Sequence, residues 1–163
     1  MPRRIRMHYW LMKSEPEECS IDMVLASPGR KTPWTGVRNY QARNFMRDEM
    51  HPGDGVLFYH SSCAEPGIAG IAEVASGAYP DATQFDAHSD YFDPKATSES
   101  PRWFHVDVRA VRKIRLIPIA ELRSHKLLAG MVALRTGNRL SITPVSVAEW
   151  RFITAKLATT GVA

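Results

Sequence analysis

The sequence predicts an α+β chain built on a small, mostly antiparallel or mixed sheet that can close into a barrel. Three observations predict it. Short apolar runs of strand length dominate the chain. Between them lie only a few segments with helical spacing. With 163 residues, 44% hydrophobic and 23% charged, the chain reads as one domain able to bury a core.

His8–Met12 is the first strand, and Lys13–Ser14–Glu15–Pro16 ends it because proline cannot donate to a ladder. Its apolar part is too short for a signal peptide, so no export signal is expected. No run approaches the roughly 20 apolar residues that span a bilayer, so no membrane partner is expected either. Ser20 caps a short helix, Ile21–Leu25, and Ser27–Pro33 is loop. The chain is organised around 33–61. Trp34–Thr35–Gly36 opens it, and an amphipathic helix, Arg38–Met50, follows. Ala42, Phe45, Met46 and Met50 share one helix face; Asn39, Arg43 and Arg47 share another. Pro52–Gly53–Asp54 then turns the chain into the strand Gly55–His60.

Gly67–Val74 is the next strand, its glycines pointing to close packing or a bulge. Ala78–Pro101 is a long polar loop, and Tyr79, Phe85, Tyr91 and Phe92 within it argue against disorder. Trp103–Leu116 alternates as a bent strand or strand pair. Pro118–Arg123 begins a helix whose spacing continues through Leu127, Leu128, Met131 and Leu134 to Gly137. Asn138–Val145 is the last strand. Ser146–Glu149 is a capping box, and Trp150, Ile153 and Leu157 are the buried stripe of the final helix.

The net charge of +4 permits nucleic-acid binding without demanding it. Seven basic residues against two acidic ones between Arg102 and Lys126 fit a phosphate footprint and a solvated strand face equally well. Cys19 and Cys63 form no CxxC, which speaks against zinc and for a reducing compartment. Asp81, Asp86, Asp90 and Asp93 match no calcium-loop spacing and read as turn chemistry. HExxH, GxSxG and GxxxxGK[ST] are all missing, and nothing orients His60 toward Cys63 as a nucleophile's base. Trp34 and Tyr59 stand at the two ends of the central unit and could sandwich a flat polar ring, with Ser14, Asn39, His60 and Ser61 on its edge. On spacing alone both aromatics fit the core better; the loop setting of Trp34 beside Gly36 argues the other way.

YWLMKSEP at 9–16, WTGVRNYQARNFMR at 34–47, GDGVLFYHS at 53–61, YPD at 79–81, PRW at 101–103 and RLSITPVS at 139–146 resemble the EVE domain family. The likeness is collinear and covers residues 8 to about 153 of a single domain at 1–163. It implies a PUA-like β-barrel, a pseudobarrel of about five to seven strands flanked by short helices, related to YTH domains. It implies a non-catalytic module without cofactor or metal that recognises a modified base, chiefly modified cytosine in DNA, flipped into an aromatic-lined pocket. By that likeness Trp34 is the main cage wall, with Tyr59 and Trp103 as further walls. Lys13, Ser14, Asn39, His60 and Ser61 contact base edge or phosphate, and Arg139 and Ser141 line or brace the pocket. Arg38, Arg43, Arg109, Arg112 and Lys113 are the phosphate-binding set. An RNA-binding adaptor of the same fold is the alternative, and a metal-dependent enzyme acting on nucleotides through the Asp loop ranks below it. A monomer is expected, with a separate effector such as a nuclease, in a bacterial cytoplasm or a eukaryotic nucleus. The sequence departs from the family at Cys19 and Thr143, where Tyr and Gln are usual outside the expected pocket, and at Thr35, which replaces Asp. The basic tail Met1–Arg6 and the polar end Thr154–Ala163 flank the match.

Overall fold

The computed structural model describes residues 6–159. Nearly all of the basic tail and the last four residues of the polar end lie outside them. Six strands form one mixed sheet in the order β2-β7-β4-β3-β1-β8. They are β1 (Tyr9–Ser14), β2 (Lys31–Pro33), β3 (Gly55–His60), β4 (Gly67–Val74), β7 (Asp107–Pro118) and β8 (Ile142–Val145). A second, two-stranded ribbon pairs β5 (Tyr79–Pro80) with β6 (Phe104–His105). Among the described residues only β1 and β3 run parallel; their crossover carries α1 (Ile21–Ala26), β2 and α2 (Tyr40–Asn44). The chain closes with α3 (Ile119–Arg123) and α4 (Val147–Phe152).

The barrel expected from the resemblance is not closed by hydrogen bonds, because the edge strands β2 and β8 do not pair. Both are short, and each holds a proline, Pro33 or Pro144, that withholds a ladder donor.

Alternation along the central strands sends side chains into two cores. Trp10, Met12, Val56 and Phe58 meet Trp34, Ala42 and Met46 on one face. Leu11, Leu57 and Tyr59 meet Ile68, Leu122 and Leu128 on the other. Each fully buried residue of this kind contributes about 1.5–3 kcal/mol. The bulge foreseen in β4 is present: its register shifts against both β3 and β7.

The helices follow their caps. Ser20 accepts from Met23 N, and Ser146 and Glu149 complete a capping box. Asn39 accepts from Ala42 N, so α2 begins at Tyr40 and not at Arg38; a wider π-helical turn, Phe45–Glu49, extends it. Other boundaries differ too: β1 runs Tyr9–Ser14, and a 3-10 turn and β2 occupy the expected loop 27–33. The helix expected to reach Gly137 stops at Arg123 and gives way to 3-10 turns at Lys126–Leu128 and Val132–Leu134, leaving Leu127 71% exposed. The last strand begins at Ile142 and not Asn138.

Thr143 is fully buried in β8 opposite Leu11, and its hydroxyl finds no partner among the described residues. An unsatisfied buried hydroxyl costs about 1–3 kcal/mol. Thr143→Val is expected to stabilise the fold by about 1 kcal/mol, read as a rise of roughly 2–4 °C in melting temperature.

Candidate nucleic-acid interface

A cleft of about 650 Å³ opens where β1 and β3 end. Its walls come from four places: the end of β1 with the turn after it, α1, the Thr32–Arg38 segment, and the 139–141 loop, with Ser61, Ser62 and Tyr91 completing the lining. The floor is tied together by the main chain. Ser61 N donates to Ser14 O at 2.8 Å, and Lys13 N donates to Ser141 O at 2.8 Å. The Ser14 hydroxyl donates to Cys19 O at 2.6 Å and fixes the turn between β1 and α1.

Trp34 lines this cleft although only 6% of it is exposed. Its ring meets Phe58 edge-on, centroids 5.3 Å apart at 87°. The loop that holds it depends on Gly36, whose φ of +86° belongs to the left-handed region. A Cβ on Gly36 would lie 2.8 Å from the Tyr91 ring. Gly36→Ala therefore is expected to lower both stability and affinity by displacing Tyr91; unchanged melting and nucleic-acid affinity would contradict that packing. The Tyr91 hydroxyl donates to Glu18, and that bond, with burial, pushes the phenol up to about 12.

Asp81 organises the rim from below. Its buried carboxylate accepts from Gly36 N at 2.8 Å, from Thr83 N at 2.8 Å and from the Thr83 hydroxyl. Burial alone would raise this carboxyl, but the hydrogen bonds from Thr83, Gly36 and Arg38 outweigh it and hold it below the ordinary range. Arg38 lines the cleft, yet its guanidinium is spent on bracing. It donates to Asp81 at 3.2 Å, to Thr83 at 3.1 Å, and to the carbonyls of Tyr91 and Val37.

Of the residues singled out in the sequence, Trp34, Lys13, Ser14, Ser61, Arg139, Ser141 and Arg38 converge on the cleft. The others lie elsewhere. Tyr59 follows Phe58 on β3 and so points into the opposite core, with the Lys13 ammonium 5.5 Å from its ring centroid. Trp103 is buried under Tyr40, 4.8 Å between centroids, and its indole N–H donates to Asp93 at 2.7 Å. Asn39 is the cap of α2. His60 accepts from Ile21 N through Nε2 at 3.1 Å and pins the start of α1. Arg43 donates to Asn44 and to Arg102 O. Arg109 pairs with Glu73 at 3.1 Å and Lys113 with Asp22 at 3.0 Å, while Arg112 stands exposed beside them on β7, outside the cleft. Arg139 is exposed at the cleft and makes no ion pair among the described residues.

The sequence reading missed Tyr91 and Cys19, both of which line the cleft; Cys19 had been placed outside the pocket. An aromatic in a long loop carries no periodicity, so Tyr91 had only its neighbours Phe85 and Phe92 to mark it. Ser62, with φ of +53°, is another lining residue that no pattern signalled.

His60 gives a pH test of the same frame. Burial, joined by Lys113 and opposed by Asp22, lowers its pKa below the ordinary value of about 6.5. The unfolded chain then binds the proton more readily. Stability is full above about pH 6.5 and falls as pH drops through the folded value. Protonation also puts a hydrogen on the Nε2 that Ile21 N needs. His60→Gln is expected to flatten the urea midpoint between pH 7 and 5 relative to the parent; an identical slope would remove His60 as its cause.

The cleft offers an indole wall, hydroxyls from Ser14, Ser27, Ser61, Ser62 and Ser141, and a free cation at Arg139. That combination suits a flat ring with polar edges and an attached anion.

Comparison with known proteins places the chain among relatives. The family model of the EVE domain matches residues 8–156. Human thymocyte nuclear protein 1 is 45% identical over 162 residues, 89% of this chain and 72% of that protein. A structure of a Pseudomonas syringae protein superposes with a TM-score of 0.86 at 46% identity, covering 90% of this chain and 97% of that one. The crystal structure of human thymocyte nuclear protein 1 in complex with 5-methylcytosine-containing DNA superposes with a TM-score of 0.83 at 44% identity, covering 90% and 95%. The chain belongs to the EVE domain family.

Proposed function

We propose that this protein is a non-catalytic reader that binds DNA by accepting a flipped, modified cytosine into the Trp34 cleft. The observation that carries the reading is the position of Trp34: an indole set in a loop turned by Gly36, lining an open cleft rimmed with hydroxyls. The human relative solved with 5-methylcytosine-containing DNA shares its fold and 44% of its residues. Flipping a base costs a few kcal/mol of unstacking, and a stacking wall with edge contacts recovers it.

In this reading the aromatic walls are Trp34 and Tyr91, because Tyr59 and Trp103 are committed to packing. Arg139 takes the flanking phosphate, and Ser14, Ser61 and Ser141 supply edge contacts from the floor, while Lys13 lines the cleft with its main chain and turns its ammonium to Tyr59. The chain acts as one domain and a monomer, in a cytoplasm or nucleus, and leaves any cleavage to a separate effector.

The test compares otherwise identical duplexes with and without 5-methylcytosine by fluorescence anisotropy at fixed salt. The methylated duplex is expected to bind more tightly by about 1–3 kcal/mol, the scale of one methyl in an apolar pocket. Equal affinities for the two duplexes would overturn the reading. Equal or tighter binding of single-stranded RNA would transfer it to RNA.

A further inference from the structure

At the other end of the same parallel strand pair, three side chains converge that the base cleft does not use. His8 lies just ahead of β1, and His51 and Asp54 lie in the turn before β3. Their ligand atoms all fall within 4.8 Å of one another. β1 is six residues long and rises roughly 3.3 Å per residue, so this cluster and the cleft occupy opposite ends of the sheet.

We propose that His8, His51 and Asp54 form a binding site for a divalent cation of the zinc class. The carboxylate is the fixed member. Asp54 is 2% exposed, and Trp10 Nε1 donates to one of its oxygens at 3.0 Å. The backbone N–H groups of His8 and His51 donate to the same carboxylate, at 3.2 and 3.0 Å. Asp54 therefore draws both histidines to itself through their main chains. Asp54 N also donates to His51 O at 3.0 Å, and Gly55 N to His8 O at 3.1 Å, which locks the register of all three residues.

The two imidazoles are left over from this frame. Both histidines are exposed, and neither ring nitrogen takes part in a hydrogen bond among the described residues. The His8 ring only meets the Trp10 ring edge-on, at 6.4 Å. Atoms sharing one zinc at about 2.1 Å lie no more than about 4.2 Å apart, so a small turn of the exposed rings completes the fit. Two imidazoles with one carboxylate favour zinc, copper or nickel over magnesium and calcium, which take oxygen sets. Trp10 and the two main-chain donors are the outer groups that hold the carboxylate in place. Three protein ligands leave a position for water. Because the site clamps the start of β1 to the start of β3, an ion there binds the folded chain alone and stabilises it.

The experiment uses the full chain stripped with chelator and titrated with Zn²⁺ by calorimetry, with Co²⁺ absorption as a second readout. One equivalent is expected to bind saturably and to raise the melting temperature. Losing an outer-shell partner alone costs a metal site about 10–100-fold. His8→Ala and His51→Ala are thus each expected to weaken binding at least tenfold, and the double variant to abolish both the uptake and the thermal shift. DNA affinity should be the same in the double variant. Absence of saturable uptake by the parent chain, or unchanged uptake by the double variant, would overturn the proposal. Asp54→Asn is not needed as the deciding variant, since Trp10 depends on that carboxylate for the fold.

Discussion

Trp34→Ala lowers the affinity for 5-methylcytosine-containing DNA by roughly 5- to 150-fold, the equivalent of about 1–3 kcal/mol of lost stacking. The same change also opens a cavity against Phe58 and Met46, with an expected stability loss of about 3–5 kcal/mol. The two effects separate by the quantity measured. Partial unfolding scales down binding to methylated and unmodified duplexes alike, whereas losing the stacking wall removes the ratio between them. Trp34→Phe keeps an aromatic face and most of the packing, and so keeps the fold with an intermediate ratio. A Trp150→Ala control removes the stack on Tyr9, 4.5 Å between centroids, far from the cleft lining. It is expected to lower stability and leave the ratio untouched.

Asp81→Ala destabilises the fold by about 3 kcal/mol, seen as a fall of roughly 6–12 °C in melting temperature. The carboxylate is buried and serves Gly36 N, Thr83 N, the Thr83 hydroxyl and Arg38 together. Its removal leaves a half-buried guanidinium without its counter-charge and frees the Gly36 turn beside Trp34. Affinity for methylated DNA falls with it, although Asp81 touches no base in this account. Asp81→Asn, which keeps an acceptor oxygen without the charge, recovers part of the loss. Because the folded carboxyl titrates below its ordinary range, its contribution is present above the unfolded value and is lost as pH falls through the folded one. A melting temperature of Asp81→Ala within a degree or two of the parent would show that Arg38 and Tyr91 brace the rim without it.

The strands were legible wherever one face is buried, because a period of two with turn residues at each end leaves few alternatives. Gly55–His60 and Gly67–Val74 appear with the bounds read from the sequence. The stretch after Arg123 misled because Leu128 and Met131 are buried by tertiary packing on two short turns, a spacing that mimics a helix. Closure of the sheet was not legible at all, since it depends on which edge strands pair. In the site, Trp34 was marked by its glycine neighbour. Tyr59 was not excluded, although the strand alternation that places it on the opposite face from Phe58 was already written in the chain. The phosphate set was only partly legible in position, for a different reason. A count of arginines does not show which are spent, and Arg38, Arg43 and Arg109 are held by Asp81, Arg102 O and Glu73. The bracing role of Asp81 and the contact of Tyr91 with Gly36 join residues some 45 or more positions apart, which no local pattern reveals.

The most direct test of the Trp34 cleft uses the four tryptophans as reporters. In a ¹⁵N-labelled sample each indole N–H gives its own signal: Trp10 bonded to Asp54, Trp103 bonded to Asp93, Trp150 beside Tyr9, and Trp34 at the cleft. On titration with a 5-methylcytosine-containing oligonucleotide, the Trp34 signal is predicted to move furthest, with the Trp10 and Trp150 signals unchanged. A titration that saturates while the Trp34 signal stays in place, and another indole moves in its stead, would contradict the account.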